Sequence, residues 1–363
     1  MFDVEIRHNS LLEFLESAGY SPDIVDGNKK FNVFTSIQSE LSSLNMGVGL
    51  RDISNSGIIE LRGNDVLDFL HRITTNSVKD LQKESLVGTI FTTEKGRIID
   101  TATILNFEDH QLLICSQANK EKVLSWINKY VITDDVHINN SSESYIFLEM
   151  IGPQSDSFLT LVCGNAVNEI KLNNFKLVRT EGLIFIVAKL KETNGNDKYW
   201  ILSDIRNGIQ LIQYMISHAG PFDFNLVGED AYNIYRTAKG IPASPNELND
   251  QFNPHEAGLL NLVSSTKGCY IGQEVIARLE TYDKVQKHLK RITFQDPVDE
   301  KGNYALVDQE GNDAGIITSI AYSPKSNKYY GLAYVRKGFM TADKILFAAN
   351  QSADKVPVII GNI

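Results

Sequence analysis

Residues 256–285 read EAGLLNLVSSTKGCYIGQEVIARLETYDKV, and the octapeptide KGCYIGQE within them is the most informative part of the chain. Two glycines bracket Cys269, and because glycine permits tight backbone turns, we expect this cysteine on a loop. Gln273 and Glu274 are expected to begin the next helix, whose first backbone N–H groups attract anions. Lys267 would favour the thiolate of Cys269 by charge attraction. The alternative is that Cys269 packs as a small apolar residue beside the helix start.

The segment from Gly57 to Tyr130 is predicted to alternate between strands and amphipathic helices. GIIELR, LVGTIFTT, RIIDTATILNF and HQLLICS are the expected strands, and the EKG sequence at 94–96 predicts a hairpin turn. Asn64 is a candidate N-cap for the first helix, and the second helix ends near Tyr130. Strand, helix, several strands and helix is the order of a ferredoxin-like α+β unit.

Three further regions have their own patterns. Residues 11–18 have the spacing of an amphipathic helix, and Gly19 is its predicted stop. From Tyr145 to Ile216 an order comparable to that of the ferredoxin-like unit recurs, without a repeat strong enough to prove duplication. From about Gln286, short β-type runs separated by Gly, Pro, Asn and Asp predict a small barrel or sandwich.

The composition is ordinary for a folded protein. The 363 residues are enough for two or three domains, and 42% hydrophobic and 22% charged residues argue against wholesale disorder. The net charge of −10 disfavours a protein that coats DNA, RNA or anionic membranes.

The cysteine spacing and the N-terminal sequence bear on the cellular compartment of the protein. Cys115 and Cys163 lie in the apolar runs QLLIC and LTLVC and are expected in the core. With Cys269 they make an odd, widely spaced set, so we expect neither a disulfide framework nor a metal site. The acidic N-terminal segment does not read as a signal peptide, and no run reaches transmembrane length. These features predict a soluble cytoplasmic protein.

Several blocks resemble one known family. KGCYIGQE matches the signature of the YgfZ-type folate-binding proteins, relatives of the glycine-cleavage T-protein (aminomethyltransferase) that are implicated in iron–sulfur cluster assembly or repair. VGLRDISNSGIIELRGNDVLDFLHRITTNSV is similar to the family's N-terminal block. YRTAKGIPASPNELNDQFNPHEAGLLNLVSSTKGCYIGQE is similar to its central block, and AGIITSIAYSP and GLAYV to its C-terminal barrel.

The resemblance implies a fold and a domain layout. The expected fold class is α+β, a three-domain cloverleaf-like ring of two ferredoxin-like units and a small C-terminal β-barrel, with a reduced folate, tetrahydrofolate or a relative, in a central channel. The implied segments are a discontinuous folate-binding domain (1–52 and 145–245), a second ferredoxin-like domain (53–144), the KGCYIGQE segment (246–285) and the barrel (286–363).

The resemblance also implies roles for two charged residues. Asp100 lies where aminomethyltransferases carry two successive carboxylates, and Thr101 replaces the second; a carboxylate there would accept a proton or stabilise a cationic iminium. The alternative for Asp100 is a solvated residue near a hairpin. Arg236 matches an arginine beside the folate, where its guanidinium would form a donor fork. Its alternative is a surface helix charge.

The chain departs from the transferase pattern at one position. Trp200, or Asn196 in another register, replaces an acidic residue that binds the pterin, and loss of that anchor weakens a transferase assignment. Trp200, Tyr199 and Tyr270 still offer aromatic faces to a folate, although such residues are more often core. The resemblance also suggests Arg278 and Tyr282 at the channel rim. The expected cofactor-binding residues are Arg236, Tyr270, Trp200, Gln273 and Glu274.

The sequence is compatible with three functions. The preferred one is a tetrahydrofolate-binding accessory protein for iron–sulfur cluster assembly or repair, with Cys269, Asp100 and Lys267 as the reactive residues. Its partners would be reduced folate and iron–sulfur assembly proteins or client enzymes, including enzymes that modify tRNA, with no direct contact to nucleic acid or membrane. The alternative is a folate-dependent aminomethyltransferase, so whether the chain is an enzyme stays open. An RNA-binding module is disfavoured by the acidic charge.

Overall fold

The computed structural model describes residues 14–25, 28–191, 195–281, 284–340, 345–350 and 355–361. Within these ranges the strands are β1 (Asp23–Val25), β2 (Asn28–Lys30), β3 (Val48–Asp52), β4 (Gly57–Arg62), β5 (Ser85–Thr92), β6 (Ile98–Asn106), β7 (Gln111–Cys115), β8 (His137–Asn140), β9 (Tyr145–Ile151), β10 (Asn174–Thr180), β11 (Leu183–Lys191), β12 (Asp197–Asp204), β13 (Phe224–Leu226), β14 (Lys287–Phe294), β15 (Ala305–Val307), β16 (Asp313–Ser323), β17 (Lys328–Arg336), β18 (Leu346–Ala349) and β19 (Lys355–Gly361). The α-helices with described bounds are α1 (Ile37–Met46), α2 (Val66–Ile73), α3 (Lys120–Tyr130), α4 (Ser155–Cys163), α5 (Ile205–Ser217), α6 (Glu229–Lys239) and α7 (Gln273–Thr281). No described helix is long and apolar enough to cross a membrane.

The chain divides into two compact units. The first contains the residues up to Ser56, Glu84–Leu86 and Asn140–Tyr235. The second contains Gly57–Lys83, Val87–Asn139 and the chain from Arg236 onward. The finer four-segment division and the ring arrangement stay predictions.

The first unit is built on a sheet with helices packed on one face. Its strands follow the order β13-β3-β9-β12-β11-β10, in which β13 and β3 are parallel and the other pairs antiparallel. Leu148, Tyr199 and Ile201 form its core together with apolar residues of α4 and α5. Because side chains alternate along a strand, the residues between these core positions point to the opposite face.

The second unit begins with the segment in which most predicted elements are confirmed. GIIELR forms β4, β7 lies between β4 and β6, and α2 and α3 supply apolar residues to the core beneath them. Gly96 has a φ of 66° in the β5–β6 hairpin, as the sequence predicted. The prediction for Asn64 is wrong: Asp65 is the N-cap residue, and the Asn64 side chain instead donates to Asp135.

The C-terminal part of the second unit is a closed barrel. Its six strands follow the order β14-β17-β16-β15-β18-β19, which confirms the C-terminal barrel. Apolar residues fill its interior, among them Ile292, Leu306 and Ala333. Phe252, which precedes the barrel in the chain, stacks on Tyr334 of β17 with ring centroids 3.5 Å apart. This stack fixes the segment that leads to the KGCYIGQE octapeptide against β17.

The N-terminal helix is described only in part. Residues 14–17 are helical, and Gly19 follows with a φ of 92°, as expected for a glycine stop. Leu11, which the prediction included, lies outside the described residues.

Candidate functional site

The octapeptide forms a loop and a helix start, and it leaves Cys269 at the surface. Cys269 is exposed, whereas Cys115 is buried and Cys163 half-buried. Burial raises the pKa of the Cys163 thiol to about 12. Burial and the nearby Asp100 carboxylate also raise the pKa of Cys115. The loop position of Cys269 is therefore confirmed, and the interpretation of Cys269 as a buried apolar residue is wrong.

Lys267 fastens the start of this loop to the C-terminal end of α2. Its ammonium donates to the carbonyl oxygens of His71, of Thr74 at 2.7 Å and of Asn76 at 2.8 Å. Three N–H donors thus meet three acceptors, and a cation at a helix C-terminus is favoured by the helix dipole. Burial lowers the pKa of Lys267 to about 8. The ammonium is directed at carbonyls, so its action on the Cys269 thiolate stays a prediction.

The end of the loop is also held in place. The Thr92 hydroxyl donates to the Ile271 carbonyl at 2.7 Å. Gly272 has a φ of 84°, and a Cβ atom at this position would lie 2.6 Å from the Thr93 carbonyl oxygen. Only glycine fits both the backbone conformation and the close approach. Tyr270, between the two anchors, is buried.

Gln273 and Glu274 begin α7, as predicted. Gln273 is half-buried and Glu274 is exposed. Glu274 accepts a hydrogen bond from Arg278, one turn later, at 2.5 Å. Tyr282 lies outside the described residues.

Asp100 is a fully buried carboxylate on β6. Its Oδ2 atom accepts a hydrogen bond from the Ser116 backbone N–H at 2.8 Å. Its Oδ1 atom accepts hydrogen bonds from the Ser244 hydroxyl at 2.6 Å and from the Asn119 amide at 3.5 Å. All three of these donors are neutral. The interpretation of Asp100 as a solvated residue near a hairpin is wrong, because its exposed fraction is 0%.

Arg236 is a buried ion-pair partner. Its Nη1 atom donates to Glu247 at 3.0 Å and its Nη2 atom donates to the Ser319 hydroxyl at 2.9 Å. Ser319 in turn donates to the second carboxylate oxygen of Glu247 at 2.7 Å. Arg236 is 6% exposed and Glu247 0% exposed, so the interpretation of Arg236 as a surface helix charge is wrong. The pair ties α6 to the loop before the octapeptide and to β16.

Trp200 lies beside a buried carboxylate of the first unit that the sequence analysis missed. The indole N–H of Trp200 donates to Glu149 Oε1 at 3.1 Å, and Lys198 donates to the same oxygen at 2.8 Å. Burial alone would raise the pKa of Glu149, but the charges of Lys198 and Arg51 outweigh it and lower the pKa to about 2. The carboxylate is therefore ionised. Asn196, the alternative to Trp200, precedes β12.

Arg51 extends this group. Its Nη1 atom lies 3.5 Å from Glu149 Oε2, and its Nη2 atom donates to both carboxylate oxygens of Glu229, at 2.8 and 3.1 Å. The guanidinium lies over the Tyr232 ring, 3.7 Å from the centroid. A signal for the group was present in the sequence, because Glu149 interrupts the apolar run YIFLEMI, and charged residues are rarely buried without partners.

The predicted residues fall into separate groups. Lys267, Cys269, Tyr270, Gln273 and Glu274 share one loop and helix start of the second unit, and Asp100 and Arg236 lie in two further hydrogen-bonded groups of that unit. Trp200 belongs to the first unit. A cavity of about 750 Å³ beside the barrel is bordered by Ser319 but by none of the predicted site residues.

Comparison with known proteins places the chain in a family. The family model described as the GCVT N-terminal domain matches residues 13–267. This chain belongs to the GCVT family. An aminomethyltransferase of Thermoanaerobacter pseudethanolicus is 25% identical over 337 residues, which cover 92% of this chain and 88% of that protein. A chloroplastic Arabidopsis thaliana protein that carries the name of a transferase is 27% identical over 328 residues, 90% of this chain and 74% of its own length.

The fold agrees with membership of the GCVT family. The crystal structure of glycine cleavage system aminomethyltransferase T from Bartonella henselae matches with a TM-score of 0.83 at 19% identity, over 97% of this chain and 96% of that chain. At this identity the similarity shows the fold alone. The chain is thus an aminomethyltransferase-like member of the GCVT family, with a mixed α/β fold and a closed C-terminal barrel.

Proposed function

We propose that this chain is a YgfZ-type, tetrahydrofolate-binding accessory protein that acts in the cytoplasm in iron–sulfur cluster assembly or repair, with Cys269 as its working thiol. The observation that carries the proposal is the exposure of Cys269 on a loop held at both ends, by Lys267 and by Thr92. An exposed thiol on a fixed loop is accessible to a partner protein. A cluster normally takes four protein ligands, so the remaining ligands would come from that partner.

Folate binding is supported by family membership and by the likeness of three sequence blocks to folate-binding proteins. The first unit also supplies chemistry that suits a planar, polar ring, namely the Trp200 side chain next to an ionised carboxylate. The chain's partners would be iron–sulfur assembly proteins or client enzymes, and any effect on tRNA modification would be indirect.

The test uses cells that lack the gene and carry variants of the chain. Cys269→Ser is expected to accumulate normally and to bind tetrahydrofolate in calorimetry, but to leave iron–sulfur enzyme activities as low as in the null strain. Cys163→Ser is the matched control and is expected to restore them. Full rescue by Cys269→Ser would reject the thiol mechanism.

The alternative, folate-dependent aminomethyl transfer, is favoured by one observation. Asp100 is a fully buried carboxylate that three neutral donors hold in a fixed position, and such a group suits a developing cation. Trp200, in place of an acidic residue, argues against this activity. Turnover with an aminomethylated lipoyl carrier, lost in Asp100→Asn, would establish the transferase; no turnover in the wild-type chain would exclude it.

A further inference from the structure

The imidazole of His71 holds the loop that follows α2. His71 lies in the last turn of α2, and its Nδ1 atom accepts hydrogen bonds from the backbone N–H groups of Val78 at 3.1 Å and of Lys79 at 3.2 Å. A ring nitrogen that accepts from N–H donors carries no proton, so the ring is neutral and its proton is on Nε2. Val78 is fully buried in the core to which α2 contributes. The ring therefore fastens residues 74–79, the 74–79 loop, to the end of α2.

The 74–79 loop also holds the octapeptide segment. Three backbone carbonyls at the end of α2 and in this loop bind the Lys267 ammonium. The Thr75 carbonyl accepts a hydrogen bond from the backbone N–H of Ser264 at 3.1 Å, and the Thr75 hydroxyl donates to the Leu262 carbonyl at 2.7 Å. The conformation of the loop therefore decides whether the segment that leads to Cys269 is anchored.

Protonation of His71 is incompatible with this arrangement. A proton on Nδ1 would face the two backbone N–H donors, so both hydrogen bonds would be lost. The charged ring would also repel the Lys267 ammonium, which donates to the carbonyl of His71 itself. A helix C-terminus favours a cation, but Lys267 already supplies one at this end of α2.

The charged groups around His71 come from α2, from the chain after it and from the octapeptide segment. Asp68, on α2, pairs with Lys79 at 3.3 Å. Burial and the charge of Lys267 lower the pKa of His71; Lys79 adds to this effect, and the carboxylates of Asp68 and Asp80 oppose it. The pKa lies below its ordinary value of 6.5. The stabilisation from neutral His71 is therefore complete above pH 6.5 and is lost as the pH falls below it.

We propose that His71 is an acid-sensitive switch for the octapeptide segment. Neutral His71 holds the 74–79 loop in the conformation that binds Lys267 and Ser264. Protonated His71 releases the loop, and the segment that carries Cys269 then loses its anchor on α2. Histidine is the side chain whose acceptor is lost near physiological pH, whereas an amide in its place would accept at every pH. The inference concerns the loop alone and does not rest on the proposed function.

The experiment is hydrogen exchange of the full chain at pH 7.5 and pH 5.0, read by mass spectrometry and divided by the intrinsic exchange rate at each pH. Peptides from residues 74–81 are expected to lose protection by at least ~3-fold at pH 5.0. The maximum is ~30-fold for a histidine with an ordinary pKa of 6.5. The peptide that contains Ser264 should lose protection in parallel, because its N–H group bonds to the loop.

His71→Asn is the decisive variant. Asparagine Oδ1 is as many bonds from Cα as histidine Nδ1 and accepts at every pH, so this variant should keep equal protection at both pH values. His137→Asn is the matched control, because it removes a histidine whose side chain is 81% exposed, and it should respond to pH as the wild-type chain does.

Three results would overturn the inference. They are a change below twofold in the wild-type 74–81 peptides, an equal loss of protection in His71→Asn, and a loss that leaves the Ser264 peptide protected. Each of these results leaves folate binding and the thiol chemistry of Cys269 untouched, so the proposed function fails or stands separately.

Discussion

Cys269, among single residues, differs from the other two cysteines in exposure. Burial holds the Cys115 and Cys163 thiols in the protonated, unreactive form, whereas Cys269 is open to reagents. We expect iodoacetamide to modify Cys269 at least ~10-fold faster than either of the others, measured by peptide mass spectrometry over time. Cys269→Ser should remove the fast phase. Equal rates for the three thiols would contradict the exposure of this loop.

Arg236 is expected to matter for stability more than an exposed helix arginine would. Arg236→Ala would leave Glu247, which is 0% exposed, as an uncompensated buried charge. The expected loss of unfolding free energy is about 3–5 kcal/mol, measured by chemical denaturation. The double variant Arg236→Met/Glu247→Leu should recover much of this loss, since it removes both charges. A loss below about 1 kcal/mol in the single variant would mean that Glu247 is solvated.

Glu149 predicts a specific acid sensitivity. Its pKa is lowered from 4.5 to about 2 by Lys198 and Arg51, against the effect of burial. A lowered pKa stabilises the fold above pH 4.5, and this stabilisation is lost as the pH falls from 4.5 towards 2. The full effect is on the order of 3 kcal/mol. Glu149→Gln should lose less unfolding free energy than the wild-type chain between pH 5 and pH 3. Equal losses would show that the Glu149 carboxylate does not contribute this stabilisation.

At the scale of secondary-structure elements, Lys267 connects the C-terminal end of α2 to the octapeptide loop. Lys267→Met keeps a long, unbranched side chain but removes the ammonium group. The carbonyls of His71, Thr74 and Asn76 then lose their donor. We expect a loss of about 2–4 kcal/mol of unfolding free energy, because unpaired buried polar groups are costly. Lys95→Met, in an exposed turn, is the control and should stay within about 0.5 kcal/mol. A neutral Lys267→Met would mean that the loop is held without its ammonium.

Helices and strands with regular apolar spacing were predictable from the sequence. The residues that they contact in the folded chain were not. β4, α2 and α5 follow from apolar spacing within a few residues. β10 was missed because its sequence, NFKLVRT, does not show the regular alternation of apolar and polar residues that is typical of a strand. Likewise, Asp100 was predicted as a site residue, but its partner Ser244 is 144 positions away. Only the folded chain brings such residues together, so sequence patterns identified reactive groups without their environment.

For the molecule as a whole, ligand binding and thiol chemistry should be separable by measurement. At one hundred times its dissociation constant, tetrahydrofolate should raise the unfolding free energy by about 2.7 kcal/mol. Cys269→Ser should show the same increase, because the role proposed for Cys269 is thiol chemistry and not folate binding.

Hydrogen exchange in the same samples locates the effect. Protection by tetrahydrofolate should concentrate in β9 and β12, the strands that carry Glu149 and Trp200. Such protection would be a direct consequence of a ligand on that sheet face, since ligand binding suppresses local opening. Stabilisation without protection of these strands would move the folate site elsewhere in the chain. Absence of any stabilisation at millimolar tetrahydrofolate would remove the folate from the proposed function and leave the exposed thiol of Cys269 as its remaining support.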